Sequence, residues 1–327
     1  MLALSPVPTS FLRNSVWLFA IPLFCQTTPA PPDPAKVAAT ARLHALLDAA
    51  PQHILTPSEF TIQTPTAGWE LGMVSSIAVD RKGAVYLLQR GDKADPVIVL
   101  DRNGRVLRSW GKGLYKTPHS IRVDPAGNIW TVDAESSVVL KFTPQGTELL
   151  RIEVGEQPAG RNSRFVGTTD IAFGPHGRLF ISDGYGNARI LEYTADGKRV
   201  HQWGTPGAGP GQFHLPHGIT IDRDNVLYVA DRENGRVQRF DVTGKFLGAW
   251  PLGRTYAVQS SGNAIWAAMQ PIDLPVPSPG WMVKLDRKTG KVLGSVASNG
   301  LHSVTVTKQG ELMTAVTSQN KILWLRP

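Results

Sequence analysis

Three histidines, His119, His217 and His302, stand out among the eight in this 327-residue chain because each opens a copy of one internal repeat. Three neutral imidazoles converging on one point make the protein half of a catalytic zinc site, which keeps three protein ligands and leaves a position open for water or substrate. Imidazole serves copper, iron and nickel as well, so these residues argue for a metal before they argue for zinc. Placement blind to the repeat would put only roughly 0.15 of a histidine on its six opening positions, against the three found. The plainer alternative is that they only hydrogen-bond neighbouring backbone, a need that would not select alternate copies. His44, His53, His176, His201 and His214 lie outside these positions and read as surface or packing residues.

The repeat is what must bring the three together. Its copies are SSIAVDRKGAVYLLQ from Ser75, HSIRVDPAGNIWTVD from His119, TDIAFGPHGRLFISD from Thr169 and HGITIDRDNVLYVAD from His217. Two degenerate copies follow, RTYAVQSSGNAIWAAM from Arg254 and HSVTVTKQGELMTAV from His302. Each is an alternating apolar strand, a tight turn rich in Gly, Asp or Asn, and a second strand, which is a hairpin. A further strand pair follows most hairpins, as in VVLKFTPQGTELLRI from Val138 and RVQRFDVTGKFLGAW from Arg236. Four-stranded units recurring at roughly 37 to 50 residues are propeller blades. The fold class is therefore all-β, a six-bladed β-propeller over residues 57–327. Ser75, His119, Thr169, His217, Arg254 and His302 then ring a central channel, with the histidines on blades two, four and six. The last blade has only three strands of its own, and a strand near Phe60 to Gln63 is expected to complete it, leaving no open edge.

The rest of the chain sets the context. Arg13 precedes an apolar run from Val16 to Phe24 and a Pro-rich passage, which reads as a secretory signal peptide over residues 1–30. The run is far short of the roughly 20 apolar residues of a membrane-spanning helix. Cys25, the single cysteine, ends that run where a lipoprotein carries its lipid, although Leu23 and Phe24 stand where small residues are wanted. The protein is expected to be secreted or periplasmic, with lipid anchoring through Cys25 as the variant, and to be a monomer. A chain without further cysteines has no disulfide framework. Residues 31–56 read as a linker with a short helix, in which Val37, Ala41, Leu43, Leu46 and Leu47 fall near helical spacing and serve packing alone. The formal charge of +8 is scattered, and no Lys/Arg cluster interleaves with aromatics. That pattern excludes a nucleic-acid footprint and leaves a mild pull on anions.

Asp183 with Asn187 and Arg189, and Asp231 with Asn234 and Arg236, resemble the turns of NHL-repeat propellers. The Pro118-His119 and Pro216-His217 pairs, DGYGNARI from Asp183 and ADRENGR from Ala230 resemble something narrower, the peptidyl-α-hydroxyglycine α-amidating lyases. The likeness runs from about Gly68 to the C-terminus. It implies zinc on His119, His217 and His302, a catalytic tyrosine at Tyr185, and active-site arginines at Arg90 and Arg232. The residues read on their own agree with this: Arg90 and Arg232 directly follow the second strand of a hairpin and Tyr185 lies two past Asp183, so all three share one rim over the metal. The implied substrate is a small molecule or peptide ending in an α-hydroxyglycine-like carbinolamide. Zinc acts as Lewis acid on its hydroxyl, Tyr185 as base with a lowered pKa, and arginine holds the carboxylate. The products are an amide and glyoxylate, and no water is consumed.

Two departures from that family bear on cofactors and substrate. Ser303 follows His302 where the family carries an aspartate that helps to hold structural calcium, which leaves calcium unsupported. The family's cysteines are absent, Gly186 stands beside Tyr185, and no copper monooxygenase domain accompanies the propeller to supply a hydroxyglycine, so the natural carbinolamide stays open. Two other readings compete: a non-enzymatic NHL binding module of the cell envelope, which would hold no metal, and another metal-dependent propeller enzyme such as a lactonase, which would bind its metal with carboxylates and amides.

Overall fold

Strands alternating in hydrophobicity and joined by short polar turns fold as antiparallel hairpins. In the computed structural model, which describes residues 33–51, 55–155 and 165–326, every repeat copy does so. Pro118–Val123 pairs with Ile129–Asp133, for example, across a turn in which Asp124 accepts the amide of Asn128 at 2.8 Å. Asp80 and Asp222 close the equivalent turns of blades one and four. The segment read as a leader, with Cys25, and His53 lie outside the described residues.

Six four-stranded antiparallel sheets result, and the fold is a six-bladed β-propeller. Adjacent sheets bury apolar faces against each other: Tyr86 and Leu88 of blade one pack with Ile121, Ile129 and Leu140 of blade two. Five blades use consecutive strands. The sixth is ordered Thr56–Glu59, Lys321–Arg326, Leu312–Val316, Thr305–Val306, so an N-terminal strand closes the ring. That strand lies upstream of the expected Phe60 to Gln63. Phe60 makes its last bond to the edge, to the Ile322 carbonyl at 2.9 Å, and the chain then leaves for blade one, where the Gln63 amide meets Gly104 O at 2.9 Å. The helix Pro34–Asp48 sits outside the ring, with Leu43 and Leu47 buried beside Trp250, Leu252 and Val283.

A β-bulge marks the channel end of the inner strand in blades one to five. In blades one to three the residues on either side of it pair with consecutive residues of the second strand, leaving Ser75, His119 and Thr169 unpaired, and in blade four the shift between Pro216 and Ile219 leaves His217 and Gly218 unpaired. In blade five the unpaired residue is Tyr256, between Thr255 and Ala257. This corrects the alignment that put Arg254 in the channel. A two-residue slip keeps the inward and outward alternation of a strand intact, so apolar pattern could not reveal it; the bulge does.

Candidate metal centre

His119 and His217, at bulges, and His302, just before the Thr305–Val306 strand, converge on the axis, where their ring centroids lie 4.8, 4.9 and 5.1 Å apart. One ligand atom from each falls within 4.8 Å of the others. Each Nδ1 lies against a backbone carbonyl of the next blade: His119 on Thr169 O at 2.6 Å, His217 on Tyr256 O at 2.7 Å and His302 on Ser75 O at 2.7 Å. A carbonyl only accepts, so Nδ1 carries the proton and Nε2 keeps its lone pair for the axis. The backbone bond of the plainer alternative is therefore present, and it is what aims the ligand atom. Gly218 permits one of these contacts, since a Cβ there would stand 2.8 Å from Tyr256 O.

Electrostatics keep the rings neutral. Burial drives His119 and His217 well below the usual imidazole range, helped by the neighbouring histidines and by Arg90 and Arg232. Burial, then the Arg90 charge, lowers His302 to about 4. Three neutral imidazoles sharing one point, tautomers fixed from behind, suit zinc and the other imidazole-binding transition metals.

Tyr185 follows Gly184, whose Cα approaches so close to Pro216 that a Cβ would meet its carbonyl oxygen at 2.0 Å. This contact seats the Tyr185 hydroxyl 3.0 Å from His119 Nε2 and 3.2 Å from His217 Nε2. Arg232 lies over the rings of Tyr185 and Tyr256, at 5.8 and 5.2 Å, and also hydrogen-bonds Tyr185. Arg90 donates Nε to Pro118 O at 2.8 Å and stacks on Phe165 at 5.4 Å; Phe165 in turn lies 5.1 Å from Tyr185. Burial outweighs the Arg232 and Arg90 charges and holds the Tyr185 phenol above its ordinary value, so the two arginines do not by themselves produce the lowering expected of a base. All six expected residues thus stand together on one rim of the channel.

Tyr256 and Glu233 escaped the sequence reading, which placed Arg254 here in a different role. Tyr256 is buried, 5.7 Å from the His217 ring, and its hydroxyl has no hydrogen-bond partner among the described residues. A signal existed, because Tyr256-Ala257-Val258 shares the small residue and β-branched residue that follow His217 and His302. Arg254, expected in the channel from its repeat position, instead binds Glu233, and Glu233 carried no signal beyond its neighbour Arg232.

Below the histidines the channel is crossed by an ion pair. Asp170 accepts from the guanidinium of Arg122, from Ser120 Oγ at 2.5 Å and from the Ile219 amide at 3.1 Å, while Arg122 reaches Gln259 at 2.9 Å. The donor set here does not suit calcium. That ion wants six to eight oxygen ligands, whereas Ser303 supplies no carboxylate and Asp170 is already engaged by a guanidinium.

The NHL repeat family matches residues 213–240. Over 205 residues the chain is 35% identical to peptidyl-glycine alpha-amidating monooxygenase of Mus musculus, covering 53% of this chain and 21% of that protein. The chain thus spans about a fifth of the length of that relative. A probable peptidyl-alpha-hydroxyglycine alpha-amidating lyase of Caenorhabditis elegans is 26% identical over 296 residues, covering 79% of this chain and 83% of that one. Among solved structures, a streptogramin B lyase matches the fold with a TM-score of 0.57 at 20% identity, over 83% of this chain and 97% of that one. No helix among the described residues is long and apolar enough to cross a membrane.

Proposed function

Since this chain belongs to the peptidyl-α-hydroxyglycine α-amidating lyase family of NHL-repeat propellers, we propose that it is a zinc-dependent lyase cleaving the C–N bond of an α-hydroxyglycine-like carbinolamide to an amide and glyoxylate. The observation that carries this reading is the Tyr185 hydroxyl, at hydrogen-bond distance from two of the three Nε2 atoms that face the axis. A group so placed can exchange a proton with a substrate hydroxyl held at the same point. A zinc ion on His119, His217 and His302 would supply Lewis acidity toward that hydroxyl and a charge favouring the Tyr185 phenolate.

Arg90 and Arg232 flank Tyr185 and present guanidinium groups whose Nε atoms are already tied, to Pro118 O and to Glu233. Guanidinium groups suit the carboxylate beside the carbinol carbon. Tyr185 takes the hydroxyl proton, the carbonyl of glyoxylate forms, the C–N pair moves to nitrogen, and a proton completes the amide. Phe165, beside Tyr185 and under Arg90, provides apolar wall. We place this activity outside the cytoplasm, in a protein exported by the leader at 1–30, with Cys25 as the alternative anchor, acting as a monomer on a small or peptide substrate.

Metal analysis of purified protein, followed by incubation with an N-acyl-α-hydroxyglycine, tests the proposal. One zinc per chain and glyoxylate release are expected, and Tyr185→Phe should cut turnover by about two to four orders of magnitude while keeping the metal. A zinc-loaded protein releasing no glyoxylate would overturn the substrate assignment; a protein binding no metal would favour the binding-module reading.

A further inference from the structure

Arg232 is anchored through a carboxylate. Where Arg90 is tied to a neutral carbonyl, the Nε of Arg232 donates to Glu233 Oε1 at 2.8 Å, and the other oxygen of Glu233 takes Arg254 Nε at 3.2 Å. Arg254 is itself fixed: its side chain is 8% exposed, and its two terminal nitrogens reach Leu274 O at 2.8 Å and Ile272 O at 3.0 Å, in the loop after blade five's second strand. The Glu233 amide donates to His214 O at 3.0 Å, so the carboxylate springs from a braced turn. Burial works to raise the Glu233 carboxyl, but the Arg232 and Arg254 charges outweigh it and hold it below its ordinary value. Glu233 therefore stays an anion between two cations.

A guanidinium is a planar fork on a long flexible stem, and its value in carboxylate binding depends on which edge it offers. Pinning Nε to Glu233 leaves the terminal edge for Tyr185 and for a ligand, and the Tyr185 and Tyr256 rings restrict tilt from the faces. We infer that Glu233 and Arg254 are positioning residues, a relay from blade five that orients Arg232 for a substrate carboxylate. The inference deepens the lyase reading, on which it rests for the identity of that carboxylate.

The test measures glyoxylate binding to the zinc-loaded protein by calorimetry, beside kcat and KM for an N-acyl-α-hydroxyglycine. Glu233→Gln, which keeps shape and removes charge, should weaken glyoxylate binding about tenfold with metal content unchanged and a thermal midpoint near wild type; Arg254→Met should weaken binding likewise but also lower the midpoint, because it strands Glu233 and two buried carbonyls. Because the relay acts through Arg232, Glu233→Gln placed on Arg232→Met should add nothing to the loss from Arg232→Met alone. Wild-type affinity in Glu233→Gln, or a loss that persists on Arg232→Met, overturns the relay. Wild-type protein that binds glyoxylate but releases none from a hydroxyglycine refutes the lyase reading and leaves the relay standing. Wild-type protein that binds no glyoxylate refutes both.

Discussion

At the scale of single residues, the centre depends on hydrogen bonds made behind the ligands. Each imidazole is aimed by a carbonyl from the neighbouring blade, and such outer partners typically govern metal affinity by 10–100-fold. Gly218 tests this. A Cβ there would stand 2.8 Å from Tyr256 O, the acceptor for His217 Nδ1. Gly218→Ala should push the two inner strands apart, disturb the His217 tautomer and weaken metal binding about tenfold or more in a competitive chelator titration. Unaltered affinity would mean that His217 needs no such brace. The clustering of the three histidines was legible in sequence, because residue type together with repeat position is a local signal, whereas Tyr185, Arg90 and Arg232 came from the family resemblance and lie beside them in the structure. The pairing of Glu233 with Arg254 was not legible, since it is a contact between two blades.

At the scale of elements, the inner strands carry polar groups into a channel where water cannot easily satisfy them. Arg122 of blade two and Asp170 of blade three answer each other there, with Gln259 of blade five and the Ile219 amide of blade four joining in. Removing one partner of a buried pair strands the other. Arg122→Met should therefore cost about 3–5 kcal/mol in denaturant unfolding, whereas added calcium should leave the midpoint of the wild type unmoved. A loss under about 1 kcal/mol would reclassify the pair with surface salt bridges. The bulges belong to this scale too. Blade five was misaligned by two residues because alternation repeats every two residues, and only pairing with Ala264–Gln270 reveals that Tyr256, not Arg254, is left unpaired.

At the scale of the whole molecule, ring closure and the metal act on the same elements. Thr56–Glu59 covers the edge of Lys321–Arg326, and a metal on blades two, four and six would tie alternate blades at the axis. Binding to the folded state alone stabilises it by RT ln(1 + [L]/Kd), about 4 kcal/mol at a thousandfold excess over Kd. Chelation should thus lower the thermal midpoint by several degrees without dissolving the β-sheet signal in circular dichroism, and zinc should restore it. A midpoint indifferent to chelation would count against the centre. The sequence by itself determined the blade number, the strand period and the three histidines, because alternation, turn chemistry and repeat spacing are written locally in side-chain type. The tertiary structure alone decided which residue closes the ring, which residue of blade five enters the channel, and which groups brace Arg232 and the imidazoles. Those are contacts between segments far apart in the chain, and neither periodicity nor composition encodes them.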